Sequence, residues 1–217
     1  MPLTHGHTET RSIYESAAYF LWDNATERES LFFGDVEPDS ISLGPQTKSI
    51  WKAAAPKIPH TLPPIFIECL WTSDQPDDPP FGHLNPVHLV NEPMALVLEV
   101  YKVKNNLHSA SALIVEGIAG PDTRTRKGRK PSPVSLDLLR GMLNGVTIYI
   151  VHCQSDVGGK YNRPVAQIIG AEARALVDKK ELGVEAVMLE QGTRIHEFRS
   201  STPVQSCLDT PHPHHRD

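Results

Sequence analysis

The pattern of hydrophobic and polar positions predicts short strands along most of the chain and one long helix near its end. Residues 146–151 are an unbroken run of β-branched and aromatic side chains, which is typical of a strand buried on both faces. A polar, glycine-containing segment follows at 154–163, and apolar residues then recur at helical spacing. We expect this helix, the longest of the fold, near 164–181, with Gly183 just beyond its end.

The remaining elements are predicted to be mostly strands. We expect strands near 31–33, 40–43, 65–71, 94–103, 110–118, 184–189 and 193–198, and short helices at 12–22 and 135–143. Aromatic residues in the 12–22 segment leave a strand there as the alternative. With about seven strands and about three helices, the pattern favours an α+β fold with a mainly antiparallel sheet. A parallel crossover is expected only near the end, between 146–151 and 184–189.

Composition indicates a globular protein of one domain. The chain has 217 residues, of which 39% are hydrophobic and 22% charged, which is ordinary for a folded domain. We place a single α+β domain at 11–199, between a flexible N-terminus at 1–10 and a flexible tail rich in histidine and proline at 200–217.

Cysteine content and hydropathy indicate an intracellular location. Three widely spaced cysteines do not form a disulfide framework, and no signal peptide or apolar run long enough for a membrane span is present. We expect a protein of the cytoplasm, with the nucleus as an alternative, that is not secreted and has no membrane span.

A cluster of basic residues is the most concentrated charge feature. The formal net charge is −5, so binding to a polyanion has to be local. Five cations lie within seven positions: Arg124, Arg126, Lys127, Arg129 and Lys130. Such a loop binds phosphates or serves as a nuclear-import signal. The predicted partner is nucleic acid or an acidic protein.

The loop after 146–151 offers an alternative site. Cys153 is a candidate nucleophile beside His152, although adjacent strand residues point to opposite faces. Backbone amides at a glycine loop before a helix can bind an anion. The anion-binding candidates are Gly158, Gly159, Lys160 and Arg163. The spacing matches neither a Cys-x5-Arg phosphatase loop nor a Walker loop.

No metal or cofactor site is predicted. His83 and His88 lie near Asp77 and Asp78, but their spacing matches no established ligand pattern and favours surface polar residues. Glu68 and Glu99 fall in predicted strands and are expected on the solvated face of the sheet, although paired carboxylates are the alternative.

These features favour a non-enzymatic binding or structural protein, RNA-binding or otherwise engaging nucleic acid or another polyanion through the basic loop, with a possible homo-oligomer. The first alternative is an enzyme with an anion-binding site around Cys153. The second alternative is a self-assembling, capsid-like scaffold in which the basic loop is an import or partner signal.

Overall fold

In the part of the chain that the structure describes, a six-stranded sheet and three helices form the fold. The computed structural model describes residues 1–7, 12–42, 45–74, 83–107, 113–115, 132–155 and 159–195. The strands are β1 (Pro2–His7), β2 (Ser12–Asp23), β3 (Arg28–Phe33), β4 (Pro64–Glu68), β5 (Leu113–Val115), β6 (Ser132–Val134), β7 (Thr147–Val151) and β8 (Glu185–Met188). The helices are α1 (Thr47–Ala54), α2 (Pro86–Lys104) and α3 (Val165–Asp178), with short 3-10 turns at Ala55–Lys57 and Leu136–Leu138.

The main sheet is mixed and mostly parallel. Its order is β1-β2-β3-β4-β7-β8, in which β1 to β3 pair antiparallel and β3, β4, β7 and β8 pair parallel. Strands β5 and β6 form a separate parallel pair. The α+β content with three helices is confirmed, but the prediction of a mainly antiparallel sheet is wrong. The central strands are buried along most of their length, as parallel strands with helical crossovers generally are.

Helix α2 is the largest departure from the predicted elements. The segment 94–103, predicted as a strand, is the second half of this 19-residue helix, so the helix near 164–181 is not the longest. The side chain of Asn85 caps the helix by accepting a hydrogen bond from the His88 amide at 2.8 Å. Pro93 lies inside the helix, where proline is unfavourable, but burial between α1 and α3 stabilises the helical form.

The end of the fold follows the predicted pattern. Strand β7, helix α3 and strand β8 form a parallel crossover, as expected for that region. Elsewhere, the segment 12–22 is strand β2 rather than a helix, 135–143 contains only a 3-10 turn, and 40–42 lies outside any strand. Within the described part of the chain, every helix is too short or too polar to cross a membrane.

The hydrophobic core lies between the sheet and the helices. Alternate residues of β3, β4 and β7 contribute to it, and each helix adds one apolar face. The core positions of these strands are Leu31, Phe33, Ile65, Ile67, Ile148 and Ile150. This packing holds the carboxyl ends of β3, β4 and β7 side by side at one edge of the sheet.

Candidate metal centre

Four titratable side chains meet at the carboxyl edge of the parallel strands. Asp35 follows β3, Glu68 is the last residue of β4, and His152 follows β7 directly. The register places Glu68 opposite Val151, so His152 begins the loop beside it. His83 comes from the segment just before α2. In open α/β sheets this edge is the usual place for a ligand site.

Close packing of β2 positions Asp35. A Cβ on Gly34 would lie 2.7 Å from the Ser16 Oγ and 3.1 Å from the Ala17 carbonyl oxygen, so only glycine fits there without a shift. The Gly34 amide also donates to the Ala17 carbonyl at 2.9 Å. These contacts fix the turn after β3 and leave the Asp35 carboxylate 49% exposed at the edge of the sheet.

Glu68 is the buried centre of the cluster. Its side chain is 2% exposed and accepts hydrogen bonds from the Val36 amide at 2.7 Å and from His83 Nδ1 at 2.6 and 2.8 Å. Burial alone would raise the pKa of Glu68. Hydrogen bonds from His152 and His83, the charge of His83 and the Val36 amide outweigh it and hold this pKa below its ordinary value. Glu68 is therefore a carboxylate, an acceptor only.

His152 is held in an unusual backbone conformation. Its φ is 53°, a left-handed value that is costly for a residue with a Cβ and that clusters at functional sites. The side chain is 52% exposed, and its Nδ1 lies 3.2 Å from Asp35 Oδ1 and 3.3 Å from Glu68 Oε2. The hydrogen bond to Glu68 raises the pKa of His152, against the opposing effect of burial. Its ring meets His83 edge-on, with the ring centres 5.7 Å apart.

The four side chains fit a divalent cation. Each offers one ligand atom, and these atoms lie within 4.8 Å of one another. Imidazole nitrogen with carboxylate oxygen is a donor set that suits zinc and related transition metals. Two of the four side chains, Asp35 and His152, are about half exposed and therefore accessible to an ion from solvent.

In the loop predicted as an alternative, anion-binding site, the environments of Cys153 and Lys160 do not favour that role. Burial, with a smaller effect of the Glu68 charge, raises the pKa of Cys153 to about 11, which does not favour a thiolate. Lys160 Nζ lies 2.6 Å from Asp74 Oδ2, so its charge is already paired. Gly159 has φ 63° and Arg163 is exposed, whereas Gly158 lies outside the described residues.

The basic loop lies outside the described residues, so its five cations, Arg124, Arg126, Lys127, Arg129 and Lys130, have no structural account. His152 is thus the one predicted candidate that the described structure brings into the cluster.

Three members of the cluster were missed by the sequence analysis. Glu68 was expected on a solvated face, but the parallel neighbours of β4 bury it. Glu99 is also buried, on helix α2, where it pairs with Lys102 at 2.7 Å. Asp35 was hidden in a turn and His83 in a proline-rich segment. Their position was the signal that could have identified them, because Asp35, Glu68 and His152 each stand at or just after the end of a strand.

Comparison with known proteins identifies the family. The model of the family described as cAMP phosphodiesterases class-II matches residues 1–192. The chain belongs to the class-II cAMP phosphodiesterase family. A 3',5'-cyclic-nucleotide phosphodiesterase of Schizosaccharomyces pombe is 41% identical over 92 residues, which are 42% of this chain and 26% of that protein. One from Aliivibrio fischeri is 31% identical over 115 residues, or 52% of this chain and 32% of that protein.

The crystal structure of unliganded yeast PDE1 shares the fold of this class-II family member. The TM-score is 0.59 at 20% identity, and the alignment covers 88% of this chain and 43% of the yeast chain. The chain thus matches less than half of the yeast chain, and its matched segments span about a quarter to a third of the two curated relatives.

Family membership corrects the functional prediction. The prediction of a non-enzymatic, RNA-binding or structural protein that engages nucleic acid is wrong, because the matched family and the named relatives are phosphodiesterases. The self-assembling scaffold reading is overturned by the same finding. The error arose because the basic loop was conspicuous as a local run, whereas the cluster of Asp35, Glu68, His83 and His152 is assembled from residues far apart in the sequence.

Proposed function

We propose that this chain forms part or all of a metal-dependent phosphodiesterase acting on 3',5'-cyclic nucleotides. The observation that carries the proposal is the cluster of Asp35, Glu68, His83 and His152 at the carboxyl edge of the sheet, in a chain that the family model matches over residues 1–192. The cyclic-nucleotide substrate class is taken from the names of the two curated relatives.

The exposed members of the cluster are suited to hold the cation. Asp35 offers a carboxylate oxygen and His152 an imidazole nitrogen at the open edge of the sheet, and His83 stands behind them beside Glu68. A divalent cation in such a site lowers the pKa of bound water and polarises a phosphoryl oxygen. The rigid strand ends hold the side chains in place before the substrate arrives, which limits the reorganisation needed during reaction.

Hydrolysis requires attack of water on the cyclic phosphorus. One P–O bond forms, the bond to one ribose oxygen breaks, and that oxygen takes up the proton that the attacking water loses, so that the product is a nucleoside monophosphate. The substrate carries a single phosphate charge, and a bound cation would offset the Asp35 charge near it.

The test is hydrolysis of cyclic AMP and cyclic GMP by the full chain, before and after removal of metal with a chelator and after addition of Zn²⁺ or Mn²⁺. Asp35→Asn and His152→Ala are expected to lower the rate by about 100-fold or more, because each removes a ligand. Asp137→Asn and His60→Ala are matched controls on exposed positions outside the cluster and should keep the wild-type rate. No hydrolysis by the metal-loaded chain, or equal rates in all variants, would overturn the proposal.

A further inference from the structure

We propose that Glu68 is a positioning residue that orients His83 and His152 toward the cation, and is not itself a ligand. This inference rests on the metal centre of the proposed function. It concerns which of the four clustered side chains bind the ion and which nitrogen of each histidine does so.

The first argument is that the acceptor positions of Glu68 are already occupied. Oε1 accepts from the Val36 amide at 2.7 Å and from His83 Nδ1 at 2.8 Å. Oε2 accepts from His83 Nδ1 at 2.6 Å and lies 3.3 Å from His152 Nδ1. A cation at Glu68 would have to displace these donors inside the protein, where a buried amide that loses its partner has no water to replace it.

The second argument is the difference in exposure within the cluster. Glu68 is 2% exposed, whereas Asp35 and His152 are 49% and 52% exposed. A cation that arrives from solvent meets the two exposed side chains first. The buried carboxylate behind them is placed as the outer partner of a carboxylate–histidine–metal arrangement.

The third argument concerns the tautomer of the histidines. A carboxylate can only accept hydrogen bonds, so the imidazole nitrogen that faces it carries the proton. Nδ1 of both His83 and His152 faces Glu68, and Nδ1 of His152 also lies 3.2 Å from Asp35 Oδ1, which assigns the proton to Nδ1 in each neutral ring. The unprotonated nitrogen of His152 is then Nε2, which is the atom left for the cation.

Glu68 also joins the chain segments that carry the ligands. The Val36 amide that it accepts from is next to Asp35, so the carboxylate fixes the segment after β3 as well as the two histidines. One side chain in β4 thereby holds the segment after β3, the segment before α2 and the segment after β7 in register. Its loss should loosen all three ligands together.

The test uses Glu68→Gln in the full chain, with Glu92→Gln as a matched control. Glutamine keeps the volume of glutamate, so the fold is retained, but its amide nitrogen cannot accept a hydrogen bond. Glu92 is likewise buried and hydrogen-bonded, to Trp51 Nε1 at 2.7 Å, and lies outside the cluster. The affinity for Co²⁺ is measured by calorimetry and by the visible absorption of the bound ion. The tautomers are measured in the metal-free chain by long-range ¹H–¹⁵N spectra at about pH 9, above the ordinary pKa of a histidine side chain.

We expect the metal-free wild type to show the Nδ1–H tautomer at both histidines. In Glu68→Gln the tautomers become mixed and Co²⁺ binds about 10- to 100-fold more weakly with an unchanged absorption band, while Glu92→Gln keeps the wild-type tautomers and Co²⁺ affinity. An Nε2–H tautomer in the wild type, or a Co²⁺ band in Glu68→Gln that reports a lost ligand, would overturn the role of Glu68 alone. The Nδ1–H tautomer without Co²⁺ binding by the wild type would instead overturn the proposed function.

Discussion

Glu92 provides a stability prediction whose size follows from the structure. It lies on α2, is 5% exposed, and accepts a hydrogen bond from Trp51 Nε1 on α1 at 2.7 Å. Burial, together with the nearby charge of Asp39, raises the pKa of Glu92 from 4.5 to about 7, although hydrogen bonds from Trp51 and Thr47 oppose the shift. Glu92 is therefore neutral in the folded protein over a pH range in which it is charged in the unfolded chain.

The sign of the pH dependence follows from this difference. Below pH 4.5 the carboxyl is protonated in both states and has no effect, whereas between pH 4.5 and about pH 7 only the unfolded state ionises, so stability falls as pH rises. Above about pH 7 this loss of stability has reached its full size. A rise of the pKa from 4.5 to about 7, at about 1.4 kcal/mol per pH unit, lowers the free energy of unfolding by about 3 kcal/mol.

Glu92→Gln removes this loss because glutamine stays neutral and its carbonyl can still accept from Trp51. The variant should be more stable than wild type by up to about 3 kcal/mol above pH 8, or about 6–12 °C in Tm, and this difference should shrink toward zero near pH 4.5. Urea unfolding across this pH range measures the difference, and Asp137→Asn, at an exposed position, is the control. A difference between Glu92→Gln and wild type that does not change with pH would refute the reasoning.

Two further predictions concern the segments around α3. Gly183 has φ 85°, and an added Cβ would lie 2.0 Å from the Asn144 Oδ1, whereas Gly192 has φ 87° and nothing within 4 Å. Gly183→Ala should therefore lower the free energy of unfolding by about 1–2 kcal/mol through backbone strain and by a further amount of about 1–3 kcal/mol through the clash. Gly192→Ala should lower it only by the amount for backbone strain. Equal losses of Tm in the two variants would contradict this reasoning. The thiol of Cys153, whose pKa is raised to about 11, should react slowly with a thiol probe at neutral pH and faster when unfolded, and rapid labelling of the native chain would argue against its buried environment.

The local sequence pattern was enough to predict those elements whose burial in the fold agrees with their hydrophobic pattern. The apolar run of β7, the amphipathic face of α3 and the apolar strand β8 were predicted with their parallel crossover, because period and length alone distinguish them. Helix α2 was not predicted, because the β-branched residues of its second half favour a strand locally and Pro93 disfavours a helix interior. Packing between two other helices reverses that preference.

The candidate site was likewise predicted only in part from the sequence. By itself, the sequence determined the strand before His152, and it singled out His152 as a candidate residue. Only the tertiary structure decided that β3, β4 and β7 lie parallel, which brings Asp35, Glu68 and His152 to one edge and joins His83 to them. The physical reason is that strand order and direction depend on long-range burial, which leaves no fixed spacing between ligands along the chain.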